Sequence, residues 1–202
     1  DPVKVCQDGV RKAKEAGLDV IAITDHDVIR GALLAEQLAP SYGIHVIPGV
    51  EITTAEGDLL ALGIRTLVPA GLSLVETLLQ VGALGGICIA PHPMAGGMGM
   101  KSLKFHSVIK AVKHPEAGQF LRRIEVLNAT ALDRHSSLFA QELAHFTGLA
   151  RTGSSDAHVL QAIGLGITEF PGRTVDDLVM SLKNGTTIVG KKESWSAVKI
   201  IS

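Results

Sequence analysis

Polar groups stand directly after five apolar runs in this chain: Asp25 and His26 after IAIT, Glu51 after VIPGV, His92 after ICIAP, Asn128 after RIEVL, and Asp156 and His158 after ARTGSS. Three histidines and two or three carboxylates, with no cysteine, make a nitrogen and oxygen donor set. Such a set suits Zn, Mn or Fe and is too rich in imidazole for Mg or Ca. Two such ions about 3.5 to 4 Å apart can activate a water and clamp the oxygens of an in-line phosphoryl displacement. The expected chemistry is therefore hydrolytic. Glu51 and Asp156 are short-tethered carboxylates at strand ends, so either could bridge two ions.

The elements that must position these groups are legible in the hydrophobic pattern. LDVIAIT (18–24), IHVIPGV (44–50), ICIA (87–90), RIEVL (123–127) and the run 149–153 read as strands. The first is a continuous aliphatic run, as in strands buried on both faces of a parallel sheet. Residues 52–64 read as strand, turn at Glu56-Gly57-Asp58, and strand, and 186–189 as a closing strand. Helices are predicted over 3–16 with Gly17 past its end, 28–38, 73–84, 107–112, 133–146, and 174–184 with Thr174 as N-cap and Gly185 as C′. Helix and strand thus alternate at intervals of roughly 25 to 40 residues, the spacing of βα units. Polar groups arriving from five strand ends at one face favour a barrel over an open doubly wound sheet, which has a single crevice.

Composition narrows the function classes. Over 202 residues, 46% are hydrophobic and 19% charged, which excludes disorder. Lys and Arg number 19 against 20 acidic residues, for a net charge of −1, so no global field steers nucleic acid or an anionic membrane. Cys6 and Cys88 lack CxxC spacing and read as reduced packing residues, which favours a cytoplasmic protein. The stretch Thr77–Met100 has no charged residue, but Pro91, Pro93 and its glycines exclude a continuous membrane helix.

ITDHD (23–27), PGVE (48–51), PHP (91–93) and GSSDAH (153–158), in that order and on those elements, resemble the PHP (polymerase and histidinol phosphatase) superfamily, and within it the stand-alone metal-dependent phosphoesterases. The resemblance spans about residues 3–190 and implies a single domain, a distorted (β/α)7 barrel holding up to three divalent ions (Mn, Zn or Fe). It implies His26 and His158 on one ion, Glu51 bridging two others, His92 completing the second and Asp156 on the first. The implied activity is hydrolysis of a phosphomonoester of a small molecule or nucleotide through a metal-bound hydroxide, with Glu51, Asp156 and His158 catalytic. Two departures stand out. Relatives open with a His-x-His strand that nothing in residues 1–17 matches, so the first strand is expected to be missing from this chain. Asp58 stands where relatives often carry a histidine ligand of the second metal, and an Asp can still ligate. The chain as given then offers the first ion Glu51 and Asp156, and the second Glu51, Asp58 and His92, so incomplete metal binding is expected.

Taken singly, each residue has an ordinary reading: His26 in a capped turn, His92 stiffening a Pro-rich loop, Asp156 capping a short helix. Jointly, in family order, they read as a metal site. His45 reads as a packed or edge residue within a strand, and His106, His114, His135 and His145 as solvent-facing. Gly96–Gly99 lacks a phosphate-loop pattern and reads as a loop over the site mouth. Lys101, Lys104 and Arg134 are the candidates to approach a substrate phosphate. A non-catalytic PHP module is the competing function. A metal-dependent hydrolase of the amidohydrolase type is a third, although no bridging Lys at a strand end is visible.

Overall fold

The computed structural model describes residues 1–96, 101–129 and 134–191. Asp1 accepts a hydrogen bond from the Val3 N–H and Pro2 opens the first turn, starting α1 (Pro2–Glu15). There follow β1 (Val20–Ile23), α2 (Arg30–Leu38), β2 (His45–Thr53), β3 (Asp58–Leu62), α3 (Leu74–Ala83), β4 (Ile87–Ala90) and α4 (Phe105–Val112). The chain continues with β5 (Leu121–Asn128), α5 (Arg134–Thr147), β6 (Ala150–Ser154), β7 (Gly166–Glu169), α6 (Val175–Asn184) and β8 (Ile188–Lys191). Capping boxes start α3 (Ser73 with Glu76) and α6 (Thr174 with Asp177), and Gly185 ends α6 in the left-handed conformation.

β1 to β6 form one sheet in sequence order, and β7 pairs with β8 antiparallel. The six-stranded sheet is curled into a half-barrel. β1 and β2 are parallel, as are β4, β5 and β6, whereas β3 is antiparallel to both its neighbours. Five strands therefore run one way and β3 alone reverses. Its first residue, Asp58, consequently lies at the end of the sheet where the other strands finish. Thr168 of β7 joins the second sheet to β6: its hydroxyl donates to the Gly153 carbonyl (2.8 Å) and accepts from the Gly153 N–H (3.0 Å).

Both faces of the sheet are packed. Ile52, Leu59, Leu78, Val81, Leu103, Val108, Leu121, Ile124 and Leu143 form the main cluster, while Ile47, Leu62, Ile87, Ile89 and Leu182 form another with side chains of α6. Each fully buried aliphatic side chain contributes about 1.5–3 kcal/mol. This core holds the strand ends in place.

Four features differ from the sequence reading. The runs predicted as separate at 44–50 and from 52 are one strand, β2, so Glu51 lies within a strand rather than after it. Pro48 forfeits one donor, but β2 is laddered to β1 on one side and β3 on the other and continues through it. β1 was expected to be buried on both faces; Val20, Ile21 and Ile23 are half-buried and Ala22 is exposed, because among the described residues β1 is an edge with one partner. β7, a short strand led by glycine with one ladder partner, was not anticipated. Strands among the described residues form two sheets rather than a closed hydrogen-bonded ring. No helix among these residues is long and apolar enough to cross a membrane.

Candidate metal centre

The site begins where β1 meets β2. His26 and Glu51 form an isolated parallel bridge: the Asp27 N–H donates to the Glu51 carbonyl (3.0 Å) and the Glu51 N–H to that of Asp25 (3.2 Å). Asp27, at φ 53°, accepts from the Thr53 N–H through Oδ1 (2.8 Å). These bonds lash residues 25–27 to the end of β2 and bring His26 Nε2 to 3.7 Å from Glu51 Oε2. In the hairpin, Glu51 pairs with Leu60 and Thr53 with Asp58. Glu51 and Asp58 are therefore diagonal neighbours on one face. The turn closes through the Thr54 N–H to the Gly57 carbonyl (3.1 Å), and the Asp58 N–H donates to the Lys101 carbonyl (2.6 Å). As a result, ligand atoms of His26, Glu51 and Asp58 lie within 4.8 Å of one another.

His92 follows β4 at φ 27° and is buried. Its Nε2 lies 2.9 Å from Glu51 Oε1 and its Nδ1 3.0 Å from Ser102 Oγ. Burial pulls the imidazole toward its neutral form, but the bond to Glu51 and the charges of Glu125, Glu51 and Asp156 outweigh this and raise its pKa to about 9. The raised value favours the form in which Nε2–H donates to Glu51.

Asp156 follows β6 at φ 50°. Asn128 Nδ2 donates to its Oδ2 (3.0 Å) and to Glu125 Oε2 (3.1 Å). Glu125 Oε2 also accepts from the His92 N–H (2.8 Å), and Ser154 Oγ donates to Glu125 Oε1. His158 is exposed, and its Nδ1–H donates to the Asp156 carbonyl (3.0 Å), which leaves Nε2 with the free lone pair that metal ligation requires.

Two buried acids face each other here. Asp58 is 1% exposed, and its Oδ1 has no hydrogen-bond partner among the described residues. Burial and then the Glu51 carboxylate push its pKa up, while His26 and His92 pull it back. A buried carboxylate oxygen without a partner among the described residues, on a side chain grouped with a second carboxylate and an imidazole, is what a divalent cation satisfies. The donor chemistry matches as well. These residues therefore fit a metal ion.

His26, Glu51, His92, Glu125, Asn128, Asp156 and His158 all border one cavity of about 860 Å³, whose lining also includes the aliphatic Ile21, Ile23, Ile47, Ile89 and Leu182. The structure thus gathers every sequence-predicted ligand but Asp58 around this cavity, and Asp58 meets His26 and Glu51 directly. His26 is grouped with Glu51 and Asp58, and no group of three among the described residues includes His158. No Lys or Arg is among the described lining residues. Lys101 and Lys104 are exposed; the Arg134 side chain and residues 97–100 of the glycine loop lie outside the described residues. His45, His106, His135 and His145 are exposed, but His114 is half-buried because its Nδ1 accepts from the Glu116 and Ala117 N–H groups.

Sequence reasoning missed Glu125, Ser102 and Ser154. A charged residue inside the aliphatic run RIEVL was the available signal for Glu125. The two serines carried none.

A family model described as PHP-associated matches residues 135–187, the stretch that carries Asp156 and His158. The fold is similar to that of a two-domain protein of Bacteroides vulgatus containing a domain named, by inference, a PHP-like metal-dependent phosphoesterase. That match has a TM-score of 0.67 and 21% identity, over 91% of this chain and 60% of that one. A Bifidobacterium adolescentis protein, also named by inference a metal-dependent phosphoesterase, matches at 0.65 and 16% identity, over 98% and 93% of the two chains. The comparisons thus give the chain a PHP-associated segment at residues 135–187 and a fold similar to that of these proteins. PsfC from Pseudomonas syringae has a similar fold, at TM-score 0.67 and 20% identity, over 92% of this chain and 82% of that one. An uncharacterized protein of Methanocaldococcus jannaschii is 40% identical over 93 residues, 46% of this chain and 54% of that protein. A second from the same organism is 29% identical over 124 residues, 61% and 51% respectively. The chain spans about half the length of these curated relatives.

Proposed function

We propose that this chain is part of a metal-dependent phosphoesterase of the PHP superfamily that hydrolyses a phosphomonoester of a small molecule or nucleotide. One observation supports the reading: the His26, Glu51 and Asp58 ligand atoms converge, with a buried Asp58 oxygen that no described residue satisfies. His26, Glu51, Asp58 and His92 would hold one part of a cluster of up to three Mn, Zn or Fe ions, and Asp156 and His158 another. Bound divalent ions supply an activated water and positive charge for phosphate oxygens.

The residues divide the remaining work. Glu51 faces His26 through one oxygen and His92 through the other, the placement of a bridging ligand. The exposed His26 and His158 rings stand where a substrate arriving from solvent meets the site first, and the buried His92, held by Ser102, keeps its orientation. Asp156 and His158 would orient the phosphate. We further take residues 1–202 as one PHP domain whose barrel is closed by a strand beside β1. The half-exposed apolar face of β1 supports this. The free Cys6 and Cys88 support a reducing compartment such as the cytoplasm.

The test is hydrolysis of an aryl phosphate and a nucleotide monophosphate panel with Mn or Zn added, using the whole protein, alongside titration of the metal. Metal-stimulated release of phosphate supports the reading. A metal-loaded protein inert on every monoester and diester supports a non-catalytic PHP module instead.

A further inference from the structure

Two ligand candidates that come from different strands, His92 after β4 and Asp156 after β6, both have left-handed backbones, at φ 27° and 50°. Neither is a glycine, so the surrounding structure must hold them there. Between them, on β5, lies Glu125, 3% exposed. One of its oxygens accepts from the His92 N–H (2.8 Å) and from Asn128 Nδ2 (3.1 Å), and the other from Ser154 Oγ. Asn128 Nδ2 also donates to Asp156 Oδ2 (3.0 Å), so its two amide hydrogens are divided between the two carboxylates. A single buried carboxylate thus fixes the backbone of one ligand, and through one side-chain amide fixes the ligating oxygen of the other.

We propose that Glu125, with Asn128, is a positioning residue that sets the distance between the His92 and Asp156 halves of the metal centre, an inference that rests on the metal reading above. Charge is not what this role needs. A glutamine at 125 could turn its carbonyl oxygen to the His92 N–H and Asn128, and its amide to Ser154 Oγ, which can accept, retaining every bond. An isosteric apolar residue retains none. Supports of this kind typically cost 10- to 100-fold in metal affinity when lost.

The experiment titrates the protein with Mn²⁺ by calorimetry and follows the His92 amide proton by NMR, for wild type, Glu125→Gln, Glu125→Met, Asn128→Ala and the Glu125→Met/Asn128→Ala double variant. Expected results are an affinity within about 3-fold of wild type for Glu125→Gln and a loss of about 10- to 100-fold for Glu125→Met. Asn128→Ala should lose less, and the double variant should be no weaker than Glu125→Met, because the two residues act as a unit. The His92 amide resonance should move upfield in Glu125→Met and hold in Asn128→Ala. Wild-type affinity in a folded Glu125→Met, or losses that simply add, would overturn the proposal. Should Glu125→Met fail to fold, wild-type affinity in Asn128→Ala or a full loss in Glu125→Gln overturns it equally. A wild-type protein that binds no Mn²⁺ overturns the metal reading itself, a result distinct from variants that bind as well as wild type.

Discussion

Asp58→Asn separates the two things this side chain does, because they have opposite signs. In the ligand-free chain the buried carboxylate is a cost. Its Oδ1 is unsatisfied, a state worth about 1–3 kcal/mol of destabilisation. Ligand atoms of Glu51 and Asp58 are within 4.8 Å; at an effective dielectric of about 20, two full charges at that distance repel by about 3 kcal/mol. His26 and His92 cancel part of that, and the raised pKa of Asp58 sheds more of it. An isosteric amide removes the repulsion and can donate to Glu51. A gain of about 1–2 kcal/mol remains, or about 2–8 °C in Tm for a chain of this size. With metal, the same substitution removes an anionic ligand and should weaken Mn²⁺ binding at least ~10-fold. Calorimetric Tm of the ligand-free protein and Mn²⁺ titration at pH 7 read both arms. A lower Tm together with unchanged Mn²⁺ affinity would refute the reasoning, since Asp58 would then be a structural acid whose partner had been missed.

Three further outcomes are expected. Glu51→Gln should cut metal-dependent phosphate release by at least ~10²-fold, whereas His135→Asn, exposed on α5, should change it by less than a few-fold; comparable losses in both would sink the bridging role. His92 has its pKa raised from 6.5 to about 9. Its stabilisation is therefore fully present below about pH 6.5 and lost as pH rises through about 9, at most ~3 kcal/mol. The raised pKa values of Asp58 and Glu125 act in the same direction at lower pH. Saturating Mn²⁺ should reverse this slope, because ligation needs His92 deprotonated; a flat ligand-free Tm between pH 6 and 9 counts against it. Gly57→Ala places a Cβ 2.7–2.8 Å from backbone atoms of Lys101, Ser102 and Leu103, at φ 144°. It should destabilise by about 2–4 kcal/mol and weaken metal binding, since it displaces both Asp58 and Ser102; wild-type stability would show that the hairpin and the 101–103 segment separate freely.

Much of this was legible because the signals were local. The Thr174 and Gly185 caps delimit α6, the run ICIA is β4 with the same ends, and Glu56-Gly57-Asp58 lies at the β2–β3 turn, as the spacing indicated. What escaped was set by partners distant in sequence. The strand read over 44–50 stopped short of Glu51, and only the ladder to β3, which pairs Gly49 through Thr53, carries β2 onward and moves Glu51 from a strand end to a strand interior. β1 looked doubly buried because its composition is that of a central strand, and only pairing shows it to be an edge. Ser102 and Ser154 are ordinary serines in sequence, and their roles come from standing 3.0 Å from His92 and in contact with Glu125. Period and propensity report what a residue prefers, not which loop will fold back over it.

The site's misfit with the ligand-free fold is itself informative. Of the non-glycine residues with left-handed φ among those described, Asp27, His92 and Asp156 stand at the strand ends of the site, and Met94 lies two residues beyond His92. Each such residue costs about 1–3 kcal/mol, to which the unpaired Asp58 oxygen and the Glu51–Asp58 repulsion add. A net stability of typically 5–15 kcal/mol can carry this only because the apolar clusters on both sheet faces are closely packed. Selection for stability alone would relax these positions, and the Asp58→Asn expectation rests on that. Their joint persistence at one end of one sheet points to a ligand that binds only the folded state and returns free energy as its concentration rises above Kd. A divalent cation does this by satisfying the very atoms that are strained without it, so Mn²⁺ should raise the Tm of wild type more than that of Asp58→Asn, even though the variant starts higher.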